Sequence, residues 1–329
     1  MSFHKSLVMA LAALFTLCVT TGSALAAYPR AAINLICPFG AGGAGDVSAR
    51  ILSIAVKDDF NKPVVVVNRP GAAGVVGTTV AAQSKPDGHT LLIGRVANVG
   101  IIPALNKTIS YKWDDFTYLG LLDVNPLVFV VRKDSPYKTL QELADAIKAQ
   151  KEDFSFACAG ALNIQELTSY MFLHSFGMGK DAATSVPFPS DAAGKNAILG
   201  GHTHFGALNL SACIDQLVEG GNLRALAVTT DKRLDVIPDV PTVREAGFPQ
   251  LENILGWNTL CAPKGIPQEA IDKWEAALAK LKDNKSWNDS VRASGSIPYL
   301  RGPEETTEFV RKQVEIFSKV GAELGLMIQ

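Results

Sequence analysis

Residues 33–39 read INLICPF, residues 40–46 read GAGGAGD, and residues 47–60 read VSARILSIAVKDDF. The first run is apolar at nearly every position, as a strand covered on both faces must be, and the last places Val47, Ile51, Ile54 and Ala55 on one face at helical spacing. A strand, a glycine-rich turn and a helix in that order open an α/β sheet. The plan recurs twice: PVVVVN at 63–68 leads to RPGAAGVVG, and TLLIG at 90–94 leads to RVANVG. Strands alternating with helical segments predict a parallel sheet with right-handed crossovers.

A second block with the same grammar starts at Leu127, where LVFVVRKDSPYKTLQELADAIKAQ is followed by FSFACAGALNIQELTSYMFLHSF, TSVPFPSDAAGKNAILGG, THFGALNL and LRALAVTT. Within it, Asn163 takes the N-cap and Glu166 the N3 position of a capping box. Residues 256–265, GWNTLCAPKG, form one more apolar strand; helical stretches at 268–282 and 303–324 follow, and no new sheet begins there. The economical arrangement is two α/β lobes, 27–126 with 256–329 and 127–255, joined by crossing strands at 127–132 and 256–262. Two crossings make a hinge, and its cleft faces the carboxyl edges of the strands, where open α/β sheets bind ligands.

With 31 Lys and Arg against 32 Asp and Glu, the chain lacks the basic footprint that a phosphate backbone or an anionic membrane demands, which excludes nucleic acid as a partner. The amino terminus has Lys5 in a short n-region, an apolar run at 7–19 broken only by Thr16, and small residues at Ala24 and Ala26. This is the pattern of a secretory signal peptide, residues 1–26, and the run is shorter than the roughly 20 residues of a spanning helix. A periplasmic mature chain is expected. It keeps Cys37, Cys158, Cys213 and Cys261, with no metal-like spacing. An oxidising compartment permits a bridge, but four separate apolar settings favour unpaired core thiols.

Gly40, Gly42 and Gly45 satisfy GxGxxG after a strand and before a helix, the fingerprint of a dinucleotide pyrophosphate. A dinucleotide site also wants an acid at the end of the second strand, and Asn68 stands there. The reading that remains is a smaller anion, a carboxylate, held by main-chain N–H groups at a helix start. Asp46 is then the N-cap, accepting from Ser48 or Ala49. Arg95 opens a strand-to-helix loop on the cleft; it either pairs with a second carboxylate of the ligand or is a solvated surface arginine.

His202 and His204 fall on one side of an extended segment but lack a third ligand nearby, so no metal is expected. His89 and His174 stand alone and no GxSxG elbow holds a serine, which argues against a secreted hydrolase or esterase and makes it only the alternative class. Trp257 is read as a buried junction residue rather than a stacking platform, and Arg132, Lys195 and Arg224 as surface or hinge charges. No cofactor is expected.

PFGAGGAGDVSARIL, PVVVVNRPGAAGVVG, KPDGHTLLIG, VVRKDSPYKTLQEL, LRALAVTTDKRLDVIPDVPTVREAGFP and APKGIPQEAIDKW together resemble the Bug-type substrate-binding receptors of tripartite tricarboxylate transporters. The resemblance runs from Tyr28 to the carboxyl terminus, with 223–249 its most distinctive block. It implies a periplasmic-binding-protein fold closing like a Venus flytrap, no catalysis, a monomer, a small carboxylate ligand, and a two-subunit, cation-coupled permease as membrane partner. Carried over, the ligand contacts are Phe39, Gly40, Ala41, Gly42 and Gly43; Arg95, Ala97 and Asn98; Gly160, Ala161, Leu162 and Asn163; and Ser190 with Asp191. The family commonly has SGxGSxxH in the second-lobe loop, whereas here a Gly has become Leu162 and a Ser has become Asn163. Its paired glycines after VPY are Ser190 and Asp191 after VPFP. The expected ligand is an aliphatic dicarboxylate spanning the two loops; an aromatic carboxylate near Phe39 or Trp257 is the alternative.

Overall fold

A computed structural model describes residues 27–149, 154–218 and 221–328; residues 1–26, read above as a signal peptide, lie outside them. The chain folds into two lobes, each built on one sheet. The first sheet contains β1 (Ile33–Cys37), β2 (Val64–Asn68), β3 (Thr90–Arg95), β4 (Phe116–Asn125), β10 (Gly256–Pro263) and β11 (Ile297–Arg301), in the order β11-β4-β10-β3-β1-β2. The second contains β5 (Leu127–Arg132), β6 (Ser155–Cys158), β7 (Thr184–Pro187), β8 (Phe205–Asn209) and β9 (Leu223–Val228), in the order β7-β6-β8-β5-β9.

β1 pairs parallel with β2 and β3, as the sequence predicts. The expectation of a wholly parallel sheet fails elsewhere: β10 is antiparallel to both β3 and β4, and β5 to both β8 and β9. The reason is the double crossing. β1 and β3 run toward the cleft, while the chain re-entering the first lobe at Gly256 starts at the cleft and must run away from it. The outward crossing is the short step from Asn125 through Pro126 to Leu127, so β4 and β5 form almost one continuous run. β4 and the edge strand β11 are additions to the sequence reading, and β11 shows that the sheet continues past residue 265.

Every central strand divides its side chains between two apolar layers, as period-two alternation requires. Leu35, Leu91, Ile93 and Leu260 pack with Trp274 and Trp287 on one face; Ile36, Leu92 and Cys261 pack with Val310, Val314 and Phe317 of the carboxyl-terminal helix on the other. In the second lobe Phe129 and Val131 face one layer, Val128 and Val130 the other. Each fully buried side chain of this size contributes about 1.5–3 kcal/mol relative to exposure. Ile164 and Leu167 of the second lobe share a cluster with Trp257 and Phe317 of the first, so the lobes also touch through apolar surface. The four thiols are buried and unpaired.

Candidate functional site

The turn after β1 leads into helix α1 (Ala44–Ala55), whose N-cap is Gly43 rather than Asp46. This corrects the capping assignment. Gly43 N–H closes the turn onto the Gly40 carbonyl at 3.2 Å, and Gly42 takes φ 77°, a left-handed value natural only to glycine. Asp46 sits in the first helical turn and reaches backward: its Oδ2 accepts from Gly42 N–H at 2.9 Å and Arg50 Nε at 2.9 Å, and its Oδ1 from Asn68 Nδ2 at 2.9 Å. Burial alone would raise this carboxyl, but the bonds from Arg50, Gly42 and Asn68 outweigh it and hold it at about 2. Asn68 also donates to the Phe39 carbonyl at 3.1 Å, so the residue standing where a dinucleotide site wants an acid instead braces the turn. Gly40, Ala41, Gly42 and Gly43 are exposed, and the first-turn N–H groups after them have no acceptor within the helix.

β3 ends at Arg95, where its backbone N–H donates to Asn98 Oδ1 at 2.7 Å. Asn98 is fully buried; its Nδ2 donates to Thr78 Oγ1 at 2.7 Å and its carbonyl accepts from Tyr111 O–H at 2.7 Å. Its work is to hold the loop, and the half-buried Ala97 lies on the same wide helical turn, Val96–Ile101. The Arg95 guanidinium lies over the Phe39 ring, 5.3 Å from its centroid. Sheet register sets Asp123, Asn258 and Arg95 side by side on three adjacent strands. Asp123 accepts from Asn258 Nδ2 at 2.7 Å, Asn125 Nδ2 at 2.8 Å and Ser48 Oγ at 2.9 Å. Burial raises the Asp123 carboxyl despite these donors. Burial likewise lowers the Arg95 guanidinium, against the opposing fields of Asp191 and Asp123. An arginine stays protonated under such a shift. Its Nε is buried without a hydrogen-bond partner, which argues against the solvated-surface reading.

The opposing wall comes from the loop between β6 and helix α2 (Ile164–Ser175). Asn163 is the N-cap as expected, its Oδ1 accepting from Glu166 N–H at 2.9 Å. The reciprocal bond is displaced by one residue: Glu166 Oε2 accepts from Leu162 N–H at 2.7 Å. Gly160 has φ 88° and Leu162 φ 53°, so Leu162 keeps a left-handed backbone at a position where the resembling family has glycine. Gln165 spans the wall, accepting from Ala159 N–H at 2.6 Å and donating to Asp191. Ser190 is the N-cap of helix α3 (Asp191–Leu199), its Oγ accepting from Ala193 N–H at 3.2 Å. Asp191, half-buried, also accepts from Asn209 Nδ2 at 3.3 Å on each oxygen. Ala161 is exposed at the loop tip.

Asp123, Asn258, Gln165 and Asn209 were absent from the sequence reading of the site. The signal for three of them was present: each interrupts an apolar strand, in LGLLDVN, GWNTLCA and FGALNL. Other candidates settle elsewhere. His202 and His204 precede β8 instead of lying in it, and His204 Nδ1 accepts from Ser155 N–H at 3.1 Å. Trp257 is 0% exposed and donates to Gln313 at 3.4 Å. Arg132 pairs with Asp134, Lys195 with Asp215, and Arg224 donates to the Ser135 and Tyr137 carbonyls. Among the described residues no helix is long and apolar enough to cross a membrane.

Residues 48–326 match the family described as tripartite tricarboxylate transporter family receptor. The chain is 30% identical over 305 residues to Protein BugT of Bordetella pertussis, covering 92% of each. Two solved Rhodopseudomonas palustris structures share its fold: Rpa4515 with adipate (TM-score 0.82, 25% identity, 92% of this chain and 100% of that one) and MatC with bound malate (0.79, 26%, 89% and 99%). The family is one of solute receptors and not of enzymes, which sets the hydrolase alternative aside. A two-lobed α/β chain with a polar cleft, matched over most of its length, belongs to the tripartite tricarboxylate transporter receptor family.

Proposed function

We propose that this chain is a periplasmic receptor that captures an aliphatic dicarboxylate of about four to six carbons, bridging the helix starts on the two sides of its cleft. Lobes 27–126 with 256–329 and 127–255 close on the ligand, and the closed form is what a two-subunit permease recognises; the receptor itself acts as a monomer. Residues 1–26 direct export and are cleaved from the mature chain. The observation that carries the reading is Arg95: a guanidinium at the cleft edge of β3, over Phe39, with Nε buried and unpartnered. A planar fork of donors in a desolvated setting is made for a carboxylate. One carboxylate sits between Arg95 and the turn 40–43, the second at the loop 160–163. Malate and adipate in related structures have the matching chemistry. The aromatic alternative has little to stack on, because Trp257 has no exposed face and Arg95 covers the Phe39 ring.

A thermal-shift panel of succinate, malate, adipate, citrate, benzoate and terephthalate tests the proposal. A ligand at 100 times its Kd adds about 2.7 kcal/mol of stability. Stabilisation by the aliphatic diacids is expected. A response confined to the aromatic acids overturns the ligand and keeps the receptor, whereas silence from a folded protein overturns the carboxylate reading. Intact-mass analysis of exported protein, expected to begin at Ala27 or Tyr28, tests the processing.

A further inference from the structure

The residues that follow the signal segment are tied down more firmly than a chain terminus requires. Tyr28 is 7% exposed, although it stands two positions past Ala26. Its hydroxyl donates to the Gly88 carbonyl at 2.7 Å and accepts from Trp274 Nε1 at 2.9 Å, and its ring meets Phe60 and His89 edge-on. Its backbone N–H donates to Glu269 Oε1 at 2.8 Å, in the first turn of helix α4 (Gln268–Leu281). Gly88, at φ 82°, leaves room for this seat: a Cβ there would stand 2.9 Å from Tyr28 Cε2 and 2.9 Å from Cβ of Ala270. Among the described residues Glu269 makes no other hydrogen bond or ion pair. Proteolysis needs exposed, flexible chain on both sides of the scissile bond, and a seated Tyr28 denies it on one side.

We propose that seating of Tyr28 and removal of residues 1–26 exclude one another, so that the seat is a maturation lock that closes only on the processed chain. This rests on the export reading above and adds the order of its two steps. A membrane endopeptidase adds one water across the bond before Ala27 or Tyr28, leaving a carboxylate on the released segment and an ammonium on the mature chain. At Tyr28 that ammonium is the nitrogen that Glu269 already holds; at Ala27 it is one residue away, about 3.8 Å along the chain. In both cases cleavage sets a new positive charge beside a carboxylate that otherwise has one uncharged donor, and an ion pair is added to the seat. Glu269 lies 241 residues further along the chain, so the seat forms only after the segment 256–329 has returned to the first lobe. Cleavage therefore belongs before that return.

Cleavage of the purified full-length precursor by a signal peptidase tests the order. Folded wild type is expected to be cut about tenfold more slowly than folded Gly88→Ala, whose added Cβ expels the Tyr28 ring and leaves the sequence around the scissile bond untouched. Trp274→Phe, which removes a donor to the Tyr28 hydroxyl, replaces Gly88→Ala should the latter not fold. Equal rates for wild type and variant would overturn the lock and leave the export reading standing. Wild-type precursor diluted from urea straight into the assay separates the two readings: rapid cutting before Ala27 or Tyr28 supports both, and no cutting there would overturn both together. On the mature chain, acylation of the α-amino group at pH 7 is expected to run about threefold more slowly in wild type than in Glu269→Gln, because the paired carboxylate keeps the group protonated. Equal acylation rates would remove Glu269 from the assignment.

Discussion

A Cβ on Gly45 would stand 3.1 Å from Cδ of Arg95 and 3.0 Å from Cδ2 of Phe39. The third glycine of the turn motif therefore makes room for the cation and the ring beneath it, a different task from letting a phosphate approach. Gly74, at φ 97°, does the same from the other side, where a Cβ would meet the Phe39 ring at 3.1 Å. The glycine-rich pattern that imitates a dinucleotide fingerprint is the housing of an arginine on a phenylalanine.

Gly45→Ala should accordingly separate folding from binding. Alanine favours the first turn of α1 by up to about 1 kcal/mol over glycine, which offsets the tight contacts and leaves the denaturation midpoint nearly unchanged. Displacement of the guanidinium by a few tenths of an ångström should weaken carboxylate binding about tenfold, since such sites depend on placement. Urea denaturation and calorimetry on the same preparation check both halves; equal affinity with a large stability loss would refute the housing role.

Asp46 supplies a pH signature. Its folded value of about 2 lies below the ordinary 3.8, so its contribution is fully present above the unfolded value and is lost as pH falls through the folded one. The contribution at neutral pH is about 2 kcal/mol. Asp46→Asn should therefore melt lower than wild type at pH 7, with the difference shrinking below about pH 5 and gone near pH 1. A difference independent of pH across that window would mean that the Asp46 charge is not what holds Gly42, Arg50 and Asn68.

Leu162 inverts a common expectation. In ordinary backbone, glycine is less stable than alanine by about 0.5–1 kcal/mol, but at φ 53° alanine retains the left-handed strain that glycine escapes. Leu162→Gly should then be more stable than Leu162→Ala by about 1 kcal/mol, both having lost the leucine's packing. Thermal denaturation of the pair decides it, and the usual order would show that the Glu166 bond to Leu162 N–H does not hold the backbone in this conformation.

What the sequence disclosed and what it hid divide along contact range. β1, its turn and α1 were legible because apolar runs, glycines and helical spacing are local signals, and Asn163 with Glu166 announced a helix start for the same reason. The N-cap was misplaced because Asp46 reaches backward from the first turn, and spacing alone does not separate that from a cap. β11 was missed because IPYLR is a half-buried edge strand containing Pro298, with no clean alternation. The row Asp123, Asn258 and Arg95 exists only through the pairing of strands far apart in the chain, and the antiparallel return at Gly256 that creates it was not foreseen.

Arg95 joins the sheet register, the buried carboxylates and the ligand in one side chain. Burial of its unpaired Nε costs stability, while the fields of Asp123 and Asp191 repay part of that by opposing it. Arg95→Met removes both effects, so stability should change by less than about 1 kcal/mol. Binding should respond very differently. Arg95→Met deletes the cation and should weaken a dicarboxylate about a hundredfold, whereas Arg95→Lys keeps the charge but loses the planar fork and should weaken it about tenfold. Calorimetry on both variants separates charge from geometry. Equal affinity of wild type and Arg95→Met would displace the carboxylate from Arg95 altogether and leave the main-chain N–H groups of the turn 40–43 as its sole support on this side of the cleft.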